Sequence, residues 1–145
     1  MASDSLTFAG DAKTAVQFAT QYAQHANHYE VQTIHLWAAS IEVLRNNGQL
    51  HVDANREDLV KSICRLVPEG ESRFASGPFP KTVEYQNVLV TSLANAESEN
   101  ATHISLTHIV ASLMQDISGR DSLFLALIPL DCKELERCLE LPGGG

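Results

Sequence analysis

The chain lacks most of what nucleotide chemistry, bond-making or membrane insertion would require. None of its eight glycines is followed by lysine. A loop ending in Gly-Lys-Ser/Thr, whose N–H groups cradle phosphate, is therefore absent, and with it nucleotide binding of that kind. No Gly-x-Ser-x-Gly and no His-Glu-x-x-His occurs, which removes two common signatures of hydrolytic chemistry. No apolar run reaches the roughly 18 residues that a membrane helix needs. The first ten residues carry neither a basic start nor an apolar stretch, unlike a secretory signal. Cysteine is sparse. Cys64, Cys132 and Cys138 form an odd set that makes no disulfide framework and suits a reducing cytoplasm. Basic residues are few as well, ten against 18 acidic ones, for a net charge of −8. Such a surface repels phosphate backbones and makes nucleic acid a poor partner.

What is present is enough apolar material for a core, 44% of 145 residues, arranged with helical spacing. Ala12, Ala15, Val16, Ala19, Tyr22, Ala23 and Ala26 recur at three and four, one stripe on a long helix. Its alanines allow a neighbouring helix to approach closely. A second helix is expected from about Thr33 to Arg45, with Ile34, Trp37, Ala38, Ile41 and Leu44 on one side. A third starts near Asp53, a plausible N-cap, and carries Leu59, Ile63, Leu66 and Val67. The stretch Pro68–Pro80 holds three prolines and two glycines and reads as a linker. Beyond it the helical order recurs, with Tyr85, Val88, Leu89, Ser92 and Ala96, then Leu106, Ile109, Val110, Leu113 and Ile117. A short apolar piece, Leu123 to Ile128, precedes a last helix whose Asp131-Cys-Lys-Glu start has capping-box spacing. Pro142 and the three final glycines read as a flexible tail. No segment alternates long enough to argue a sheet.

The two parts say much the same thing. His28 to Leu36 overlays Ala101 to Ile109 with a shift of 73 residues, His35 onto His108. Under that shift Val31 falls on Ile104, Leu36 on Ile109, Val16 on Leu89 and Ala23 on Ala96. The expectation is an all-α domain spanning the whole chain, with two pseudo-twofold repeats of about four helices each. The repeats cover about residues 8–67 and 81–141, with a linker at 68–80 and a tail at 142–145. Each half alone buries little; two halves close one core.

The motif around His28 to Leu36, repeated at His108, resembles the signature of the Clp N-terminal domain, found in front of the ATPase modules of Clp/Hsp100 unfoldases. The His-Tyr-acidic-Val opening is most similar to the branch serving type VI secretion. The resemblance implies a protein-interaction domain, not an enzyme, that recognises substrate or adaptor proteins for an ATP-dependent unfoldase or protease. The alternative is a stand-alone regulator or adaptor with this fold and no ATPase modules. Partners would be proteins: substrate segments, adaptors, Clp/Hsp100 ATPase modules or a protease. The family often carries a glutamate before each second-helix histidine, which in one branch helps hold phosphoarginine. Here Ile34 and Thr107 stand there, and neither pairs with a cation. Ala9 follows Phe8 where the family usually has threonine, and Leu36-Trp37 and Ile109-Val110 replace its double leucines. The sequence resembles a diverged member of that family.

Individual residues keep two readings each. His35 and His108 are expected to be structural, each ring bonding to backbone at the start of a second helix; the alternative, catalysis, has no partner motif. His25 and His28, spaced three apart with Glu30 nearby, could offer a metal two imidazoles, but a third ligand is not obvious. The other reading places His25 on the surface and His28 near a helix C-terminus. Trp37 is either core or the border of a groove between the halves. Ile34, Trp37, Thr107 and Val110 are the candidate peptide- or adaptor-binding positions. No catalytic residue, metal or cofactor is expected. Glu134, Glu136 and Glu140 are either a solvated face or a receiver for a basic partner.

Overall fold

The computed structural model describes residues 7–26, 28, 30–67, 80–115, 119–128, 130 and 132–140. Residues 68–79 of the expected linker, the tail, the Asp131 cap and the side chains of Cys132 and Cys138 lie outside the described residues. The elements run β1 (Thr7–Phe8), α1 (Gly10–His25), α2 (Thr33–Asn46), α3 (Arg56–Leu66), α4 (Val83–Ser98), β2 (His103–Ile104), α5 (Leu106–Gln115), α6 (Gly119–Leu127) and α7 (Cys132–Glu140). The fold is all-α in two related halves, with α1–α3 in the first and α4–α7 in the second.

Helix α2 lies at the centre. The sequence predicts one apolar side, yet Ile34 through Ile41, Val43 and Leu44 are all buried. The buried residues off that side are small or apolar (Leu36, Ala39, Ser40, Val43), so they go into the core as readily as the expected stripe. It packs against α1, α3, α4, α5 and α6. Its counterpart α5 buries Leu106, His108, Ile109, Val110, Ser112 and Leu113. The alanine stripe of α1 is fully buried at Ala12, Ala15, Ala19 and Ala23, and α2 is its main neighbour.

The pseudo-twofold relation extends to the hydrogen bonds. Phe8 pairs with Ile104 in the two-stranded parallel sheet, and Lys81 pairs with Val31 in an isolated parallel bridge. The shift of 73 turns one pair into the other. Ala9 N–H donates to Ile104 C=O at 2.9 Å, and Thr82 N–H to Val31 C=O at 3.1 Å. Each half thus lends a short extended piece to the other. These pieces are too short to show as alternation in the sequence.

Helix ends follow local chemistry. Asn55, not Asp53, caps α3. Its side chain accepts from Asp58 N–H at 2.9 Å, and Asp58 accepts from Asn55 N–H at 3.1 Å. This closed box satisfies two free donors at once. α2 and α4 both end in a Schellman turn. Gly48 sits at φ 76° and Asn100 at φ 59°, with Gln49 N–H donating to Leu44 C=O and Ala101 N–H to Ala96 C=O.

A polar cluster joins α1, α2 and α3. Arg56 at the start of α3 grips Glu42 with two bonds of 2.9 and 3.1 Å, and its third arm reaches Gln21 at 2.7 Å. Tyr22 O–H donates to Glu42 at 2.7 Å. The guanidinium carbon stands 4.5 Å from the Phe18 ring centre, a cation–π contact. Burial, then Glu42, pushes the Tyr22 hydroxyl well above its usual range. Glu42→Ala leaves a buried hydroxyl without its acceptor and a half-buried guanidinium with Gln21 alone, and is expected to cost about 1–3 kcal/mol. Urea unfolding of the variant checks this; a loss under about 0.5 kcal/mol would show the cluster to be a surface ornament.

Candidate binding groove at the junction of the two halves

Three helix starts converge where the halves meet. Gln32 and Thr33 open α2, Thr82 and Glu84 open α4, and Arg120 and Asp121 open α6. With Glu30, Val67 and Val88 they line a groove of about 640 Å³. The lining is more polar than the sequence suggests, with Val67 and Val88 as its apolar part. Thr33 O–H donates to Asp121 at 2.8 Å, and Arg120 donates to Gln32 at 2.6 Å. These bonds tie α6 to the start of α2. Glu30 and Glu84 add two further carboxylates against the single guanidinium of Arg120. The groove therefore favours positive charge. Neither glutamate stands out in the sequence, because nothing in their spacing reveals that α4 begins beside α2.

The two repeat histidines do the same work in both halves. Gln32 N–H donates to His35 Nδ1 at 2.8 Å, and Ser105 N–H to His108 Nδ1 at 2.9 Å. Each ring stands three residues into its helix and takes the backbone donor that a capping glutamate would take. The other nitrogens differ. His108 Nε2 lies 2.9 Å from Glu99. His35 Nε2 lies 2.8 Å from His28 Nδ1, and His28 Nε2 lies 3.0 Å from Val67 C=O. A backbone donor at one end and a backbone acceptor at the other leave one arrangement of protons. Both rings are neutral, each carries its proton on Nε2, and His35 donates to His28. His28 does lie just past the end of α1, its N–H donating to Ala23 C=O at 2.9 Å, but its ring is only 3% exposed and turns inward to His35. Its counterpart by repeat is Ala101, which is why the alignment of the halves does not announce it.

The other predicted positions fall as follows. Ile34 and Trp37 are fully buried and Val110 is 1% exposed; in this structure they present no surface to a partner. Trp37 belongs to the core, with no hydrogen-bond partner for its indole N–H among the described residues. Thr107 is half-buried, its hydroxyl 2.7 Å from that of Ser105. His25 is exposed and His28 is not, so the two rings do not share a site. Among the described residues no group of three His, Cys, Asp or Glu could hold a metal ion. Glu134 accepts from both the backbone and the ring of His51, at 2.6 and 2.7 Å, and so ties the loop before α3 to α7.

His35→Ala strands the Gln32 N–H and the buried His28 ring, and is expected to cost about 2–3 kcal/mol. His108→Ala frees one backbone donor near an exposed glutamate and should cost about 1 kcal/mol. Urea melts of the two variants measure the order, and equal or negligible losses would contradict the capping role. Burial, then the fields of His28 and Arg120, push the His35 ring down to about 3 from 6.5. The unfolded chain therefore takes up this proton first. Stability is full above about pH 6.5 and falls as pH drops towards 3, by up to about 1.4 kcal/mol per pH unit. In His35→Gln that part of the slope should vanish. An unchanged slope between pH 6.5 and 5 would assign it to other groups.

No family model matches the chain, and no curated protein matches it by sequence. Solved structures do match in shape. The N-terminal domain of the caseinolytic protease-associated chaperone ClpD from Arabidopsis thaliana superposes with a TM-score of 0.65 at 19% identity, covering 90% of this chain and 96% of that one. The Hsp104 N-terminal domain from Candida albicans gives 0.64 at 14%, covering 90% and 87%. A structure from a malarial protein secretion system gives 0.63 at 13%, covering 92% of each. Identity this low speaks for the fold alone, and the fold is the one the repeated histidine motif implies. The chain has the double-repeat fold of the Clp N-terminal domains, in a diverged sequence.

Proposed function

We propose that this chain is a protein-recognition domain serving an ATP-driven Clp/Hsp100 unfoldase or protease, and that it acts by binding rather than by chemistry. The observation that carries the reading is the match of nearly the whole chain to the N-terminal domains of ClpD and Hsp104. The junction groove supplies a place for recognition, with Glu30, Glu84 and Asp121 around a small apolar floor. Such a groove suits a short segment bearing lysine or arginine beside one or two apolar residues. The net charge of −8 speeds the approach of a basic segment more than it tightens the bound state. Affinity for a shallow polar groove is expected near the micromolar range. The repeat histidines are fully engaged in capping, so the reading assigns them no part in catalysis.

An array of 15-residue peptides of graded charge, probed with the purified chain, tests this. Retained peptides should be enriched in Lys and Arg. Glu30→Lys and Glu84→Lys should each weaken retention about threefold or more without lowering Tm, because both residues lie on the groove's edge. Uniform failure to retain any class of peptide would overturn the recognition reading.

A further inference from the structure

Helix α6 is built the wrong way round for a surface helix. Asp121 and Phe124 face inward and are 4% and 0% exposed. The outward arc holds Ser122, Leu123, Ala126 and Leu127, and no charged residue occurs between Asp121 and the end of the helix. Leu123 and Leu127, one turn apart, are 58% and 40% exposed. On another side of the same helix Leu125 and Ala126, with Met114, Ile128, Leu130 and Leu135, line a groove of about 510 Å³ between α5, α6 and α7. A soluble surface helix ordinarily turns polar residues outward. A concave apolar strip with exposed Ser122 and Ala126 in its lining is a contact surface.

We infer that this face docks an amphipathic helix of a partner protein, with apolar side chains at i, i+3/i+4 and i+7 and a lysine or arginine on its flank. This surface is separate from the junction groove and does not rest on it. Three observations select the occupant. The groove holds only a few side chains, whereas a stable pair of copies buries about 800 Å² on each partner. A single helix fills such a strip with three anchors. Among the described residues the one charged side chain in the lining is Glu136, which is exposed, so a cation on the incoming helix completes the edge. Met114 at the groove wall adapts to anchors of differing shape.

The test uses the full chain, amide NMR and a 14-residue peptide of leucine and lysine arranged for an amphipathic helix. The same peptide with glutamate for lysine is the control. Saturable shifts are expected at Met114, Ser122–Leu127 and Leu135. Ala126→Arg, which fills the strip with a side chain of the same charge as the peptide's lysines, should weaken binding about tenfold, and Glu136→Gln about threefold. Ala126 is exposed, so Tm should stay near wild type and separate lost docking from lost folding. Shifts confined to Thr33, Thr82 and Glu84 would overturn the inference and leave the junction reading standing. Equal binding of the acidic peptide would overturn the stated partner chemistry. A chain that dimerises in sedimentation, and ceases to with Ala126→Arg, would replace the partner helix by a second copy.

Discussion

Burial of α2 on every side is the constraint from which the rest follows. Between its two ends α2 is packed against five other helices, and its first turn, where Ile34 and His35 are already fully buried, is capped from within the protein. His35 does this with one nitrogen, and its second nitrogen must then find a buried acceptor, which His28 provides. That in turn fixes where α3 ends, because His28 needs the Val67 carbonyl. One enclosed helix thus determines the path of the chain on both sides of it. The second half, whose α5 start lies nearer solvent, meets the same need with Glu99, which is largely exposed. The asymmetry between the halves follows burial depth.

The groove at the junction is a by-product of the same arrangement. Helix starts gather there because each half sends its second or first helix inward from a paired extended residue, Val31 or Lys81. The partial positive charge of those helix ends is offset by Asp121, Glu30 and Glu84, which leaves the rim acidic. α6 reaches the groove at its N-terminus and turns its apolar arc the other way, towards α7. One short helix therefore borders two different surfaces.

Much of the fold was legible in the residues. Spacing of three and four located α1, α2, α4 and α5, while α6 read only as a short apolar piece, and the overlay of His35 on His108 exposed the duplication. What was missed has physical causes. Alanine and serine fit either a core or a surface, so α2 read as one-sided although it is enclosed. Asp53 and Asn55 are both good caps, and only the reciprocal bond with Asp58 separates them. His28 has no counterpart in the second half, so repetition could not flag it. The crossed extended pairs are two residues long, below what alternation can reveal. The groove glutamates are brought together by packing across the halves, and a linear reading of charge does not see such meetings. Trp37 and Ile34 carried signals of size and apolarity that suit a core as well as an anchor, and the core took them.

The crossed pairing of Phe8 with Ile104 and of Lys81 with Val31 has a topological consequence. Neither half ends within its own boundary, since each is completed by backbone from the other. A protease cutting the chain within residues 68–79 would sever the covalent link without removing any of these bonds. Two nicked pieces would remain clasped as one body, like linked hands with the arms cut free.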